Sequence, residues 1–198
     1  MSLEINTYDG LVAAIADFLN KKNLSAQIPL FIRLAERVIF RELRCPANEK
    51  VGLYQGVLGV VDYPNDLLEA KLVSYNNIPL ERKTDAQMKE MLERGEKGQP
   101  LYFGRKLAKL YVYPIPDVEG DLELEYYADY SGNYDSAIFG VAGDLYLFGA
   151  LAEAYTYLKK PDEAQFWNSR LMSAMNDLNS HAIEADLAGS SLTVESAY

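Results

Sequence analysis

Histidine and cysteine are nearly absent: His181 and Cys45 are the single representatives of their types in 198 residues. A structural zinc needs about four ligands, usually Cys and His, and a disulfide needs two thiols. Most metal and nucleophile chemistry is therefore excluded. No apolar run approaches the ~20 residues of a membrane helix. The N-terminus, Met1-Ser2-Leu3-Glu4-Ile5-Asn6, lacks the basic stretch and apolar core of a signal peptide. With the lone thiol, this leads us to expect a reducing cytoplasm. Basic residues are in deficit, 19 against 29 acidic, which gives a formal net charge of −10. Such a field repels phosphate and argues against a whole-surface nucleic-acid binder, although it suits a wall past which DNA slides. At 49% hydrophobic, the chain is long and apolar enough for one domain or two small ones.

Helical signals open the chain. Thr7 reads as an N-cap for a helix to about Asn20, with Leu11, Ala14, Ile15, Phe18 and Leu19 at helical spacing. Ser25 reads as the cap of a second helix reaching about Leu43, with Ile28, Phe31, Ile32, Ala35, Val38, Ile39 and Leu43 as its stripe. Pro29 is tolerated in its first turn, where its missing N–H has no helical partner. Arg44-Cys45-Pro46 ends it, and the short link between the helices predicts a hairpin.

The middle is β-prone. Val51–Tyr54, Val57–Val61, Ala70–Tyr75, Ile78–Arg82, Leu101–Phe103 and Leu107–Tyr113 read as strands, with Asn76-Asn77 as a hairpin turn. Thr84-Asp85-Ala86-Gln87 is a capping box for a short helix ending before Gly95. Leu122, Leu124 and Tyr126 alternate with Asp121, Glu123, Glu125 and Tyr127, the pattern of a strand with one apolar and one polar face.

Helices return at Ala142 or Gly143, in a segment to about Lys159 that is apolar nearly all round and so buried on more than one face. Pro161 starts a last helix to about Leu187. The expected fold is α+β: terminal helices packed as a mostly antiparallel bundle, with a small antiparallel β insertion. Residues 1–46 and 140–187 would form the helical core, 47–139 the insertion, and 188–198 a flexible tail.

Few residues carry chemistry. Asp121, Glu123 and Glu125 share a strand face and read as a solvated surface, with a small hydrolase using these carboxylates as the competing reading. Asp117–Asp121 lacks the glycine position and bidentate Glu of a calcium loop. His181, late in a helix, has no Gly-x-Ser-x-Gly nucleophile to serve. Gly52, Gly56 and Gly59, and Gly95-Glu96-Lys97-Gly98, match no phosphate-binding spacing.

Two features ask for partners. Arg33, Arg37, Arg41 and Arg44 form a basic ridge on the second helix, and like charges four apart cost a few tenths of a kcal/mol each. Glu36 and Glu42 can neutralise part of it. Glu153, on the most apolar helix, calls for a partner such as Arg33 or Arg37, within the chain or on another subunit. The tyrosines between Tyr102 and Tyr157 suit protein contacts and an ordinary packed sheet alike.

A set of segments spans most of the chain in order: Ile28-Pro29-Leu30-Phe31-Ile32-Arg33-Leu34-Ala35-Glu36 with Arg41-Glu42-Leu43-Arg44; Tyr63-Pro64-Asn65-Asp66-Leu67-Leu68-Glu69; Ile78-Pro79-Leu80-Glu81; Gln99-Pro100-Leu101-Tyr102-Phe103; Leu110-Tyr111-Val112-Tyr113-Pro114-Ile115-Pro116; and Asp144-Leu145-Tyr146-Leu147-Phe148-Gly149-Ala150-Leu151-Ala152-Glu153-Ala154, followed by Tyr157-Leu158 and Trp167. This ordered set resembles the head-to-tail adaptor proteins of tailed phages, also called head completion or connector proteins, of the type in short-tailed phages and prophages. The stretch after Leu187 matches nothing in that pattern.

The resemblance implies a non-enzymatic virion component without cofactor or membrane. Such proteins form a ring of about twelve copies beneath the portal protein, meet a tail or tail-completion protein, and let DNA pass without sequence-specific binding. They assemble in the host cytoplasm and end at the head–tail junction. In that family the helical core makes the ring, the C-terminal segment reaches the portal, and the β-rich part faces the tail. Carried onto this sequence, Arg33, Arg37, Arg41 and Glu153 become subunit-interface candidates, and Leu192, Val194 and Tyr198 portal-contact candidates. A protein-binding module unrelated to phage is the further alternative.

Overall fold

The computed structural model of the chain describes residues 5–188. It is α+β, with five helices and two sheets, and divides into two compact units: residues up to Asn48 with those from Tyr130 onward, and Glu49–Asp129.

The first unit is helical. Helix α1, Tyr8–Leu19, starts where Thr7 accepts a hydrogen bond from the Gly10 N–H at 3.1 Å, and stops where Asn20 turns left-handed (φ 47°). Helix α2 is Ile28–Glu42, and here the sequence expectation needs correcting. Gln27, not Ser25, holds the N-cap position, because a 3-10 turn, Lys22–Leu24, comes first and leaves Ser25 as its last, helically bent residue (φ −57°, ψ −35°). Helix α4, Ala137–Tyr157, by contrast begins before the expected Ala142 or Gly143. Its first turns are a separate helical segment, joined at a kink where Ala142 has φ −127° and ψ 34°. Helix α5 is Pro161–Ala188.

By length and composition α4 does reach the size of a membrane span, contrary to the sequence reading, but 61% of its most apolar window is buried. The burial is against the unit's own helices. It packs on α2, α5 and α1, so its apolar character on all sides has three neighbours to satisfy it. The core runs through Ile32, Ile39, Phe40, Phe139, Leu145, Tyr146, Ala150 and Leu151, each worth about 1.5–3 kcal/mol for the larger apolar side chains. At the α2–α4 crossing, a Cβ on Gly149 would lie 2.6 Å from the Ala35 Cβ, so glycine there sets how closely the helices approach.

The second unit holds the strands. These are β1 Glu49–Val57, β2 Val60–Asp62, β3 Leu67–Tyr75, β4 Ile78–Pro79, β5 Glu81–Arg82, β6 Tyr102–Lys106, β7 Lys109–Tyr113 and β8 Gly120–Ala128, with helix α3 at Asp85–Arg94. One sheet has the order β1-β8-β3-β4 and the other β2-β7-β6-β5. Pairing is antiparallel except for the parallel pair β5–β6. Ile78–Arg82 is thus not the single strand expected. Leu80 is buried, its N–H donates to Val73 O, and the next residue, Glu81, donates to Leu101 O, so the chain changes sheets there.

Asn76 and Asn77, both at positive φ (49° and 62°), make the tight β3–β4 turn. The Thr84–Gln87 capping box forms, and α3 seats Met88 against Gly104, where a Cβ would fall 2.0 Å from Met88 Cγ. Strand β8 is central, and its alternation is complete: Leu122, Leu124 and Tyr126 are buried, whereas Asp121, Glu123 and Glu125 face outward.

Candidate assembly interface

Helix α2 carries two opposed surfaces. Ile28, Phe31, Ile32, Ala35, Ile39 and Phe40 bury one side, while Arg33, Arg37 and Arg41 stand exposed on the other. Leu30, 54% exposed, shares their face. The ridge is three arginines long rather than four. Arg44 turns back to the helix end, donating from Nη1 to Leu43 O at 2.8 Å and to Phe40 O at 3.4 Å, where a cation offsets the carbonyl end of the helix dipole. Asn179 of α5 clamps the same end, accepting from the Arg44 N–H (2.7 Å) and donating to Glu42 O (3.0 Å).

Glu36 and Glu42 do not neutralise the ridge. Glu36 points into the helical unit, only 3% exposed, and accepts from the Gly132 N–H at 2.9 Å. Tyr134 is hydrogen-bonded to the same carboxylate. Burial first, then the Glu36 charge, hold the Tyr134 hydroxyl far above the ordinary tyrosine range, with Arg33 pulling weakly the other way. The sequence stripe contained this signal: Glu36 stands four residues after Ile32 and four before Phe40, inside the buried face.

Glu153 forms no ion pair with Arg33 or Arg37, which corrects the intramolecular pairing considered from sequence. It is half-buried, so its carboxylate keeps access to water and needs no cation. Among the described residues, Arg33 and Arg37 therefore present guanidinium groups without a carboxylate within 4.0 Å. Leu192, Val194 and Tyr198 lie outside the described residues.

A second surface was not legible as a unit. Trp167 of α5 packs edge-on against Phe18 of α1 (centroids 5.5 Å apart), stacks on Phe148 of α4 (5.8 Å) and meets Phe166, with the Arg170 guanidinium 4.6 Å over Phe148. Phe18 and Phe166 are each about half exposed. Aromatic rings with an arginine cap are the composition of protein interfaces.

The outward face of β8 sets Asp121, Glu123 and Glu125 in a row without cationic partners among the described residues. Leu53 and Ser74 lie opposite Glu123, and Val51 and Leu72 opposite Glu125. A shallow depression of about 280 Å³ sits here, lined in part by Leu53, Ser74, Asp121 and Glu123. Its two acids rise from one strand onto one wall.

Among the described residues, no group of three or more His, Cys, Asp or Glu is placed to hold a metal. His181 is exposed beside Glu184 (3.7 Å), and Cys45 is buried and outside any disulfide. What the two units offer is surface: an arginine row, an aromatic patch and an acidic, leucine-flanked sheet face. These are the features of a structural protein that works by contact. The chain belongs to the SU10 adaptor protein family, whose model matches residues 6–195, and is a phage structural adaptor. The match runs into the C-terminal stretch that the ordered sequence motifs did not reach. No curated protein matches the chain.

Proposed function

We propose that this adaptor forms a ring of about twelve copies beneath the portal protein, completing the phage head and joining it to a tail or tail-completion protein. The observation that carries the reading is the row Arg33, Arg37, Arg41. Three exposed guanidiniums four residues apart repel one another by a few tenths of a kcal/mol per pair, and an acidic surface that meets them turns that cost into attraction. The net charge of −10 supports a conduit role, since a ring wall of that sign lets DNA slide without holding it. Glu153, half-buried and in no ion pair among the described residues, joins the arginines as an interface candidate. Leu192, Val194 and Tyr198 supply the portal contact, and the strand-rich unit faces the tail. The protein assembles in the host cytoplasm and resides at the head–tail junction of the virion.

The test is negative-stain microscopy and solution mass of the full chain, alone and mixed with the portal protein of the same phage. Rings, alone or on mixing, establish the role. A chain that stays monomeric and ignores the portal overturns it.

A further inference from the structure

We infer that the acidic surface met by the arginine row is the outward face of β8 on a second copy of this chain, with Arg33, Arg37 and Arg41 set against Asp121, Glu123 and Glu125. This rests on the ring reading above and names the two patches that would build it.

The geometry of the two elements supports the match. Arginines four residues apart on α2 repeat every ~6 Å along the helix. Carboxylates two residues apart on β8 repeat every ~6.7 Å along the strand. Over three charges the rows drift by only about 1.4 Å, well inside the reach of an arginine side chain. No ion pair competes on either side: among the described residues neither the three arginines nor the three acids form one, and Arg41 spends only its Nε, on the Arg37 carbonyl at 2.8 Å, which leaves its terminal nitrogens for a carboxylate.

The apolar surroundings match as well. Leu30 shares the arginine face, whereas Leu53, 73% exposed, and Val51 and Leu72 flank the acids across the sheet. The 280 Å³ depression beside Asp121 and Glu123 gives a guanidinium a place to enter and partly shed water, where its pairing with carboxylate is strongest. A helix ridge on one copy and a sheet face on the next are different patches. Such a contact is heterologous, and it propagates into a closed ring when the rotation per copy closes.

That asymmetry gives a specific test in the full chain, with folding checked by circular dichroism. Arg37→Glu alone sets acid against acid, and Glu123→Arg alone sets base against base. Each is expected to weaken self-association about tenfold or more. Mixing the two variants restores rings. The carboxylate introduced on α2 of one variant then meets the guanidinium introduced on β8 of the other, and the remaining contact is the native one. The double variant Arg37→Glu/Glu123→Arg also assembles alone.

Wild-type chain that forms no ring, with or without portal, overturns the ring reading and this pairing with it. Wild-type rings with an undisturbed Glu123→Arg variant overturn the pairing alone. So does a folded Glu123→Arg variant that loses only portal or tail binding, which would give the acidic face to that partner. Loss in both single variants without rescue on mixing also overturns it.

Discussion

Ala35 and Gly149 bring α2 and α4 into close contact: a Cβ built on Gly149 would stand 2.6 Å from the Ala35 Cβ and 3.4 Å from its Cα. Alanine at 149 would gain about 1 kcal/mol of helix propensity over glycine. Contact that short must push the helices apart, however, and overpacking costs about 1–3 kcal/mol. Gly149→Ala should lose about 1 kcal/mol net, and Gly149→Leu more than about 3 kcal/mol, in urea unfolding. Adding Ala35→Gly should recover most of the alanine loss. Additive single effects, with no recovery, would mean the helices do not meet there.

Glu36 ties the Tyr130–Ser136 segment to α2 through the Gly132 N–H and the Tyr134 hydroxyl. Glu36→Ala removes the acceptor for both and should cost about 1–3 kcal/mol. Glu36→Gln keeps one carbonyl oxygen and should cost less than half as much. Because Glu36 faces away from the arginine row, the glutamine variant should retain wild-type ring assembly, read by microscopy. Loss of rings in a folded Glu36→Gln chain would place this carboxylate in the interface instead.

Much of this was readable beforehand, and the failures have causes. Thr7 and Thr84 were legible because a cap is a local event, settled within three residues. The faces of β8 were legible because alternation is periodic. The N-terminus of α2 was misplaced because Ser25 is as good a cap as any, and only the preceding 3-10 turn rules it out. Ile78–Arg82 looked continuous because a change of sheet at Leu80 depends on partners far along the chain. The arginine row stood out from spacing alone. Its apparent neutraliser, Glu36, proved to be buried, as its place between Ile32 and Phe40 in the apolar stripe already indicated.

In the strand-rich unit, Asp66 receives Lys50 Nζ at 2.6 Å and the Tyr126 hydroxyl at 3.0 Å. Burial pushes the Asp66 carboxyl up, but these bonds outweigh it and hold the group below its ordinary value of 3.8. For Tyr126, burial and then the Asp66 bond push the hydroxyl up to about 12. A depressed carboxyl contributes stability above its unfolded pKa, and loses it as pH falls through the folded value. A raised phenol contributes fully below 10 and loses that as pH climbs toward about 12. Stability of Asp66→Asn should therefore fall less steeply than wild type in acid below 3.8. Tyr126→Phe should be flatter between 10 and about 12. Parallel wild-type and variant curves at both ends would show that the bonds do not persist in solution.

The C-terminal stretch offers the sharpest division between folding and docking. The family match extends to residue 195, so the segment is an inherited part of the adaptor rather than an appendage. Leu192, Val194 and Tyr198 give it apolar side chains of the kind that anchor an extended peptide in a partner's groove. If the segment serves docking rather than folding, deleting residues 189–198 should leave the unfolding free energy in urea within about 0.5 kcal/mol of wild type. Portal association, measured by co-sedimentation, should fall at least about tenfold. Restoring the segment with Leu192, Val194 and Tyr198 all changed to Ser should not recover it. Full portal binding by the serine variant would mean that the backbone or the charged Glu195 makes the contact, and a destabilised deletion would make the tail part of the fold.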